Sequence, residues 1–141
     1  MKNVLFLALI FNLIFITSCG DDEEPTLVFD YSNVVNSPDS SDKNVDDTID
    51  ISIDFESATG EPVHHVNVRI YNVATNEEVY NMPTDAHVHD LSGKFTYTDS
   101  FVLSNANGVM AHSDWMLETK VWGHEAGAEE VIESIPFHVH P

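Results

Sequence analysis

Apolar and polar residues alternate with a period of two over much of this chain. The alternation is clearest in residues 48–56, where isoleucines and Phe55 are separated by Asp, Ser and Glu, and it recurs in residues 113–122. A period of two places the apolar side chains on one face of an extended strand, so each such segment predicts a half-buried β-strand. The predicted strands cover residues 48–56, 63–73, 78–81, 94–103, 113–122 and 130–139.

Turn-rich segments separate these strands, and no segment after residue 18 has a convincing helical period. Six or seven short strands in one chain of this length predict an all-β fold, an immunoglobulin-like antiparallel β-sandwich. We expect the sandwich domain to occupy residues 47–141. An acidic tether and linker over residues 19–46, with a first strand at residues 26–31, is expected to precede it.

The N-terminus has the features of a processed targeting signal. Lys2 precedes an apolar run over residues 4–16, which is too short to span a bilayer and suits a signal peptide over residues 1–18. Small residues then precede Cys19, and this arrangement resembles the bacterial lipobox, in which the cysteine becomes lipid-modified. The resemblance implies acylation of Cys19 by fatty acids such as palmitate, and hence a lipid membrane as one partner of the protein.

Four acidic residues, 21–24, follow Cys19 almost directly. They resemble the surface-export signal of lipoproteins from Bacteroidota, which implies an outer-membrane lipoprotein that faces the cell exterior rather than the periplasm. The segment Asp47-Thr48-Ile49 resembles the short O-glycosylation motif of the same phylum, which implies glycosylation at Thr48.

Composition excludes several classes of protein. The chain has 24 acidic residues against 5 basic ones, and its formal net charge is −19 with the histidines neutral. Because nucleic-acid binding depends on basic surface, we expect no nucleic-acid partner. A single cysteine excludes an internal disulfide and a cysteine-based zinc site. The chain also lacks a phosphate-binding glycine loop, a nucleophile elbow and a His-Glu-x-x-His motif, so we expect no enzymatic activity.

Histidine is the residue type that points to chemistry. All eight histidines lie between residues 64 and 140, and two pairs have the spacing His-x-His. Residues two apart on a strand share a face at a separation of about 7 Å, so both imidazoles can reach one metal ion. Imidazole is a good ligand for zinc and copper. Solvent-facing strand histidines without a ligand are the alternative.

The strand order expected for the sandwich sorts these histidines into two groups. Connections at one end of the sandwich should carry the first cluster, and connections at the other end the second. The predicted first cluster consists of His64, His65, His87, His89 and His124, and the predicted second cluster of His112, His138 and His140. Asp85, Asp90 and Glu125 are expected near the first cluster.

Taken together, the lipobox, the acidic tether, the His-x-His pairs and the strand over residues 115–123 resemble a family of small histidine-rich lipoproteins of Bacteroidota. The likeness covers residues 47–140, although residues 123–127 replace the Asp-x-x-Gly-Asn turn that is common in such domains. The resemblance implies an immunoglobulin-like domain and a surface location, and it implies no activity.

Two functions are compatible with the sequence. In the first, the protein is a membrane-anchored surface lipoprotein whose histidine clusters bind zinc or copper. In the second, it is a non-catalytic immunoglobulin-like binding or adhesion module for a protein or glycan, and the histidines are incidental.

Overall fold

The computed structural model describes residues 30–82, 86–124 and 130–141, and nearly all of its regular structure is β-strand. The predicted signal peptide, Cys19 and residues 26–29 of the predicted first strand lie outside these ranges. The nine strands are β1 (Tyr31–Ser37), β2 (Lys43–Asn44), β3 (Thr48–Ser57), β4 (Val63–Asn72), β5 (Glu78–Asn81), β6 (Ala86–Asp90), β7 (Lys94–Val102), β8 (Ser113–Trp122) and β9 (Val131–His140). A single 3₁₀ turn, Asn105–Asn107, lies between β7 and β8.

The strands form two sheets that pack as a sandwich. The first sheet has the order β1-β3-β7, and the second has the order β2-β9-β8-β4-β5, with β6 pairing β4 as well. All pairings are antiparallel except that of β2 with β9. The predicted all-β sandwich is confirmed, and the predicted strands 78–81 and 113–122 match β5 and β8 to the residue.

The core between the sheets explains the alternation in the sequence. Strand β3 buries its isoleucines and Phe55, while the intervening residues face solvent. From the second sheet, β8 contributes Trp115 and Leu117, which are almost completely buried. Complete burial of such a side chain contributes about 1.5–3 kcal/mol relative to exposure, so these strands hold the two sheets together.

The sandwich begins earlier in the chain than predicted. Residues 32–46 were expected to form a linker, but β1 pairs with β3 over Tyr31–Ser37 and β2 pairs with β9. The hydrophobic pattern of β1 does not predict a strand, because a polar residue, Asn33, occupies an inward-facing position. Its side-chain amide Nδ2 donates hydrogen bonds to the backbone oxygens of Thr119 and Val131, at 3.1 and 3.2 Å. Internal hydrogen bonds therefore replace apolar burial at this position.

Strands β2 and β6 raise the number of strands above the six or seven expected. Strand β6 lies in a segment predicted to be a connection, because its five residues are too short and too polar to predict a strand. Within the described ranges, no helix has the length and apolar content needed to cross a bilayer.

Candidate metal centres

Both groups of histidines lie at the ends of one surface, the outer face of the second sheet. In β8, the odd-numbered residues from Trp115 to Val121 point into the core. The even-numbered residues, from Asp114 to Trp122, therefore point outward. At one end Trp122 is paired with His65, and at the other end Asp114 is paired with His138. These two positions are eight residues apart on β8, which corresponds to about 27 Å along an extended strand.

The five-histidine cluster consists of His64 and His65 from β4, His87 and His89 from β6, and His124 directly after β8. The ring centroid of His87 lies 3.8 Å from the ring centroid of His89 and 5.3 Å from that of His124. The ring of His64 lies 5.2 Å from those of His89 and His124. The structure therefore brings together all five residues of the predicted first cluster.

A stack of three aromatic rings forms one wall of this cluster. The imidazole of His65 lies parallel to the indole of Trp122 at 5.2 Å and parallel to the imidazole of His87 at 4.5 Å. The His65 ring is thus held between two neighbours. This stacking supports the position of His87 beside His64 and His89.

An irregularity in β4 and β6 explains how consecutive histidines reach the same site. Val63 and Val66 are both fully buried, although strict alternation would place them on opposite faces. The pairing of β4 with β6 shifts register between Val63 and His65, as it does at a β-bulge. In β6, His89 has a positive φ of 47°, an uncommon conformation for a residue with a side chain. The shift directs His64 and His65 toward β6 together.

Three nitrogen atoms of this cluster have the spacing of a metal site. One ring nitrogen each from His64, His87 and His89 lie within 4.8 Å of one another. Nitrogens bound to one zinc ion at about 2.0–2.1 Å lie about 3.3 Å apart, so small ring rotations would bring the three into range. The Nδ1 atoms of His64 and His65 are buried and have no hydrogen-bond partner among the residues that the structure describes. Buried imidazole nitrogens without a partner are costly, and His64 is one of the three residues whose ring nitrogens are grouped.

The electrostatics of the cluster favour the neutral forms of His64 and His87. The pKa of His64 is lowered, first by loss of hydration and then by the proximity of His124 and His89. The pKa of His87 is lowered for the same first reason and then by His89. A neutral imidazole has a free lone pair, so metal ions meet less competition from protons at these two rings.

The three-histidine cluster consists of His112, His138 and His140, the residues of the predicted second cluster. One ring nitrogen from each lies within 4.8 Å of the others, and the rings of His138 and His140 are 4.7 Å apart. His112 precedes β8 with a positive φ of 58°, and its backbone N–H donates to the oxygen of Val139 at 2.7 Å. That hydrogen bond places the His112 ring beside the end of β9.

Carboxylates support two rings of the three-histidine cluster. Nδ1 of His138 lies 2.7 Å from Oδ1 of Asp114, and Nε2 of His140 lies 3.1 Å from Oδ2 of Asp42. An ionised carboxylate can only accept a hydrogen bond, so the ring nitrogen that faces it must be the protonated one that donates. In the neutral rings, Nε2 of His138 and Nδ1 of His140 therefore retain the lone pairs that a metal needs. Metal-binding histidines in proteins are commonly oriented by such carboxylates.

An ion-paired region separates the two clusters. Nε of Arg69 lies 2.8 Å from Oε1 of Glu118, and the Arg69 guanidinium lies over the ring of Tyr71. Nζ of Lys120 lies 3.6 Å from Oε2 of Glu130. These pairs hold the basic residues of the outer face near its centre, away from the histidines.

Other predicted residues have more ordinary surroundings. The carboxylate of Asp90 accepts hydrogen bonds from the backbone N–H and hydroxyl of Ser92, and Asp85 and Glu125 lie outside the described ranges. Thr48 is exposed at the start of β3.

Three features of the clusters were not predicted from the sequence: the hydrogen bonds of Asp42 and Asp114 to histidine rings, and the stacking of Trp122 on His65. Each of them depends on which strand residues are paired.

No protein-family model matches the chain, and the sequence of no curated protein matches it. Among solved structures, it is similar to a CARDB domain from Pyrococcus furiosus crystallised in complex with di-metal ions, at 13% identity and a TM-score of 0.50, over 80% of this chain and 94% of that one. The solution structure of the same domain gives 14% identity and a TM-score of 0.50, over 79% and 95% of the two chains.

The fold of this chain is therefore an immunoglobulin-like β-sandwich, as predicted. A Niemann-Pick type C2 protein from the Japanese carpenter ant is also similar, at 12% identity and a TM-score of 0.48, over 79% of this chain and 92% of that one.

Proposed function

We propose that this protein binds zinc or copper ions through the two histidine clusters on the outer face of its second sheet, and that it acts by binding rather than catalysis. One observation supports the proposal above all others. Every one of the eight histidines in the chain belongs to one of two clusters, and each cluster contains three ring nitrogens within 4.8 Å of one another. Incidental histidines would be scattered over both sheets.

The charge of the chain favours the same ligand class. A formal net charge of −19 creates a negative potential that raises the local concentration of cations near the surface. Acidity alone attracts any cation, whereas imidazole nitrogens favour zinc and copper over calcium and magnesium, which prefer oxygen. The donor set therefore selects the ion class that the proposal names.

We further propose that the domain is held at a membrane by acylation of Cys19 and is displayed on the outer surface of the cell. The apolar run over residues 4–16, the small residues before Cys19 and the acidic residues 21–24 support this location. A binding domain on such a tether would meet metal ions outside the cell. Replacing Cys19 with serine should move the protein from the membrane fraction to the soluble fraction and abolish labelling with palmitate.

Titration of the full-length chain in a mild detergent tests metal binding. We expect the chain to bind zinc or copper with a dissociation constant below ~10 µM. The variant that combines His87→Ala, His89→Ala, His138→Ala and His140→Ala should lose this binding, because it removes two rings from each cluster. Asp50→Asn removes an exposed carboxylate from the outer face of the other sheet and should bind as the natural chain does. Affinity weaker than ~100 µM, or no loss in the fourfold variant, would refute the proposal.

A further inference from the structure

The chain enters the sandwich beside the five-histidine cluster. Tyr31 is the first residue of β1, and its hydroxyl donates a hydrogen bond to the backbone oxygen of Pro62 at 3.1 Å. Pro62 directly precedes β4, whose second and third residues are His64 and His65. The start of β1 and the five-histidine cluster therefore lie at the same end of the sandwich.

The three-histidine cluster and the predicted glycosylation site lie at the opposite end. Strand β9 ends at His140, whose backbone oxygen accepts a hydrogen bond from the N–H of Val45 at 2.8 Å. Val45 lies shortly before Thr48, the first residue of β3. Because the two clusters are about 27 Å apart along β8, a group attached before β1 is near one cluster and far from the other.

The length of chain between Cys19 and the sandwich limits how the domain can turn at a membrane. Only residues 20–29 separate Cys19 from Asp30, and ten residues span at most about 33–36 Å when fully extended. An inverted domain, with the three-histidine cluster at the membrane, would need this segment to run back over about 27 Å. Such stretching removes most of the conformational freedom of the segment, so the opposite orientation is favoured.

We infer that the two clusters face different surroundings: the five-histidine cluster faces the lipid surface to which the domain is tethered, and the three-histidine cluster faces the external medium. The inference rests on the proposed acylation of Cys19, but not on which ion either cluster binds. Two of the three grouped histidines are exposed in each cluster, so each site is open to the surroundings of its own end. Ions that arrive from the medium would meet the three-histidine cluster first, and the five-histidine cluster is the one within reach of groups at the membrane surface.

Energy transfer from the two tryptophans to a labelled membrane tests this orientation. Trp122 stacks on His65 in the five-histidine cluster, whereas Trp115 lies seven residues earlier on β8, about 23 Å toward the other cluster. The acylated chain, purified from membranes, is added without metal to phosphatidylcholine vesicles that carry dansyl groups on some of their headgroups. Trp115→Phe leaves Trp122 as the only donor, and Trp122→Phe leaves Trp115.

Energy transfer falls steeply with distance, so the Trp115→Phe chain should transfer at least ~2-fold more efficiently than the Trp122→Phe chain. If Trp115→Phe does not fold, the natural chain takes its place, and it should transfer more efficiently than Trp122→Phe. The Cys19→Ser chain, which has no acylation site, supplies the background from chance encounters.

Equal transfer from the two tryptophans, or more efficient transfer from Trp115, would overturn the orientation while leaving membrane anchoring and metal binding intact. A natural chain that does not associate with the vesicles would overturn the proposed anchoring together with this inference.

Discussion

Asn33 offers the sharpest test of how the two sheets are joined. It lies in β1 of the first sheet with 8% of its surface exposed, and its amide Nδ2 donates to backbone oxygens of Thr119 and Val131 in the second sheet. A buried hydrogen bond contributes about 1 kcal/mol net. Asn33→Ala removes two such bonds, so we expect it to lower the free energy of unfolding by about 2–3 kcal/mol.

Asn36→Ala is a matched control in the same strand. The Nδ2 of Asn36 also donates a hydrogen bond, to Oδ2 of Asp54 at 2.8 Å, but both side chains are exposed. Exposed substitutions of this kind usually change stability by less than about 0.5 kcal/mol. Urea unfolding followed by tryptophan fluorescence, without metal, should show a lower midpoint for Asn33→Ala with an unchanged slope. If both variants lose the same stability, Asn33 does not join the sheets as described.

Three further predictions concern the five-histidine cluster and its surroundings. His64→Phe removes one of the three grouped ring nitrogens and should weaken zinc or copper binding at this cluster by more than ~100-fold in a metal titration. His65→Phe keeps the aromatic stack and should weaken the same binding by less than ~10-fold, and equal losses would contradict the choice of ligands. Gly60 and Gly93 both have a positive φ, +78° and +74°, so alanine at either position should cost about 1–2 kcal/mol of backbone strain. An added Cβ would lie in open space at Gly60 but 3.2 Å from a backbone oxygen at Gly93, so Gly93→Ala should cost more stability than Gly60→Ala. Thermal unfolding of the two variants should show the lower midpoint for Gly93→Ala. The pKa of His87 is lowered by loss of hydration and by neighbouring imidazoles, so the unfolded metal-free chain takes up this proton at a higher pH than the folded chain does. The stability present above about pH 6.5 should therefore be lost progressively as the pH falls below that value. His87→Gln should show a smaller fall in urea midpoint.

Strands that bury alternate apolar side chains could be predicted from the sequence, and strands without them could not. Strand β8 alternates Trp115, Leu117 and Val121 with outward residues, so both its existence and its bounds could be read from the period of two. Strand β1 could not, because Asn33 reaches the interior through hydrogen bonds rather than an apolar side chain. Strand β6 has only five residues, pairs with β4 and contains two histidines, so its sequence lacks the run of alternating apolar residues that predicts a strand.

The histidine clusters were partly predictable for a related reason. Antiparallel connections determine which ends of strands meet, so the grouping of the rings followed from strand order alone. The supporting carboxylates depend on finer detail. Asp114 meets His138 because β8 and β9 pair in one particular register, and Asp42 meets His140 because β2 runs parallel to β9 beside it. A two-residue strand has no sequence pattern from which that neighbour could be predicted.

The separation of the two clusters along β8 has a consequence for how they would fill. About 27 Å is more than three times the distance of about 8 Å over which salt at physiological concentration screens a charge. An ion in one cluster would therefore leave the electrostatic potential at the other almost unchanged. The two groups of three histidines have no residue in common, so the clusters share none of these ligands. The protein would load its two ions independently, with two simple isotherms and no cooperativity, and could release one ion while retaining the other.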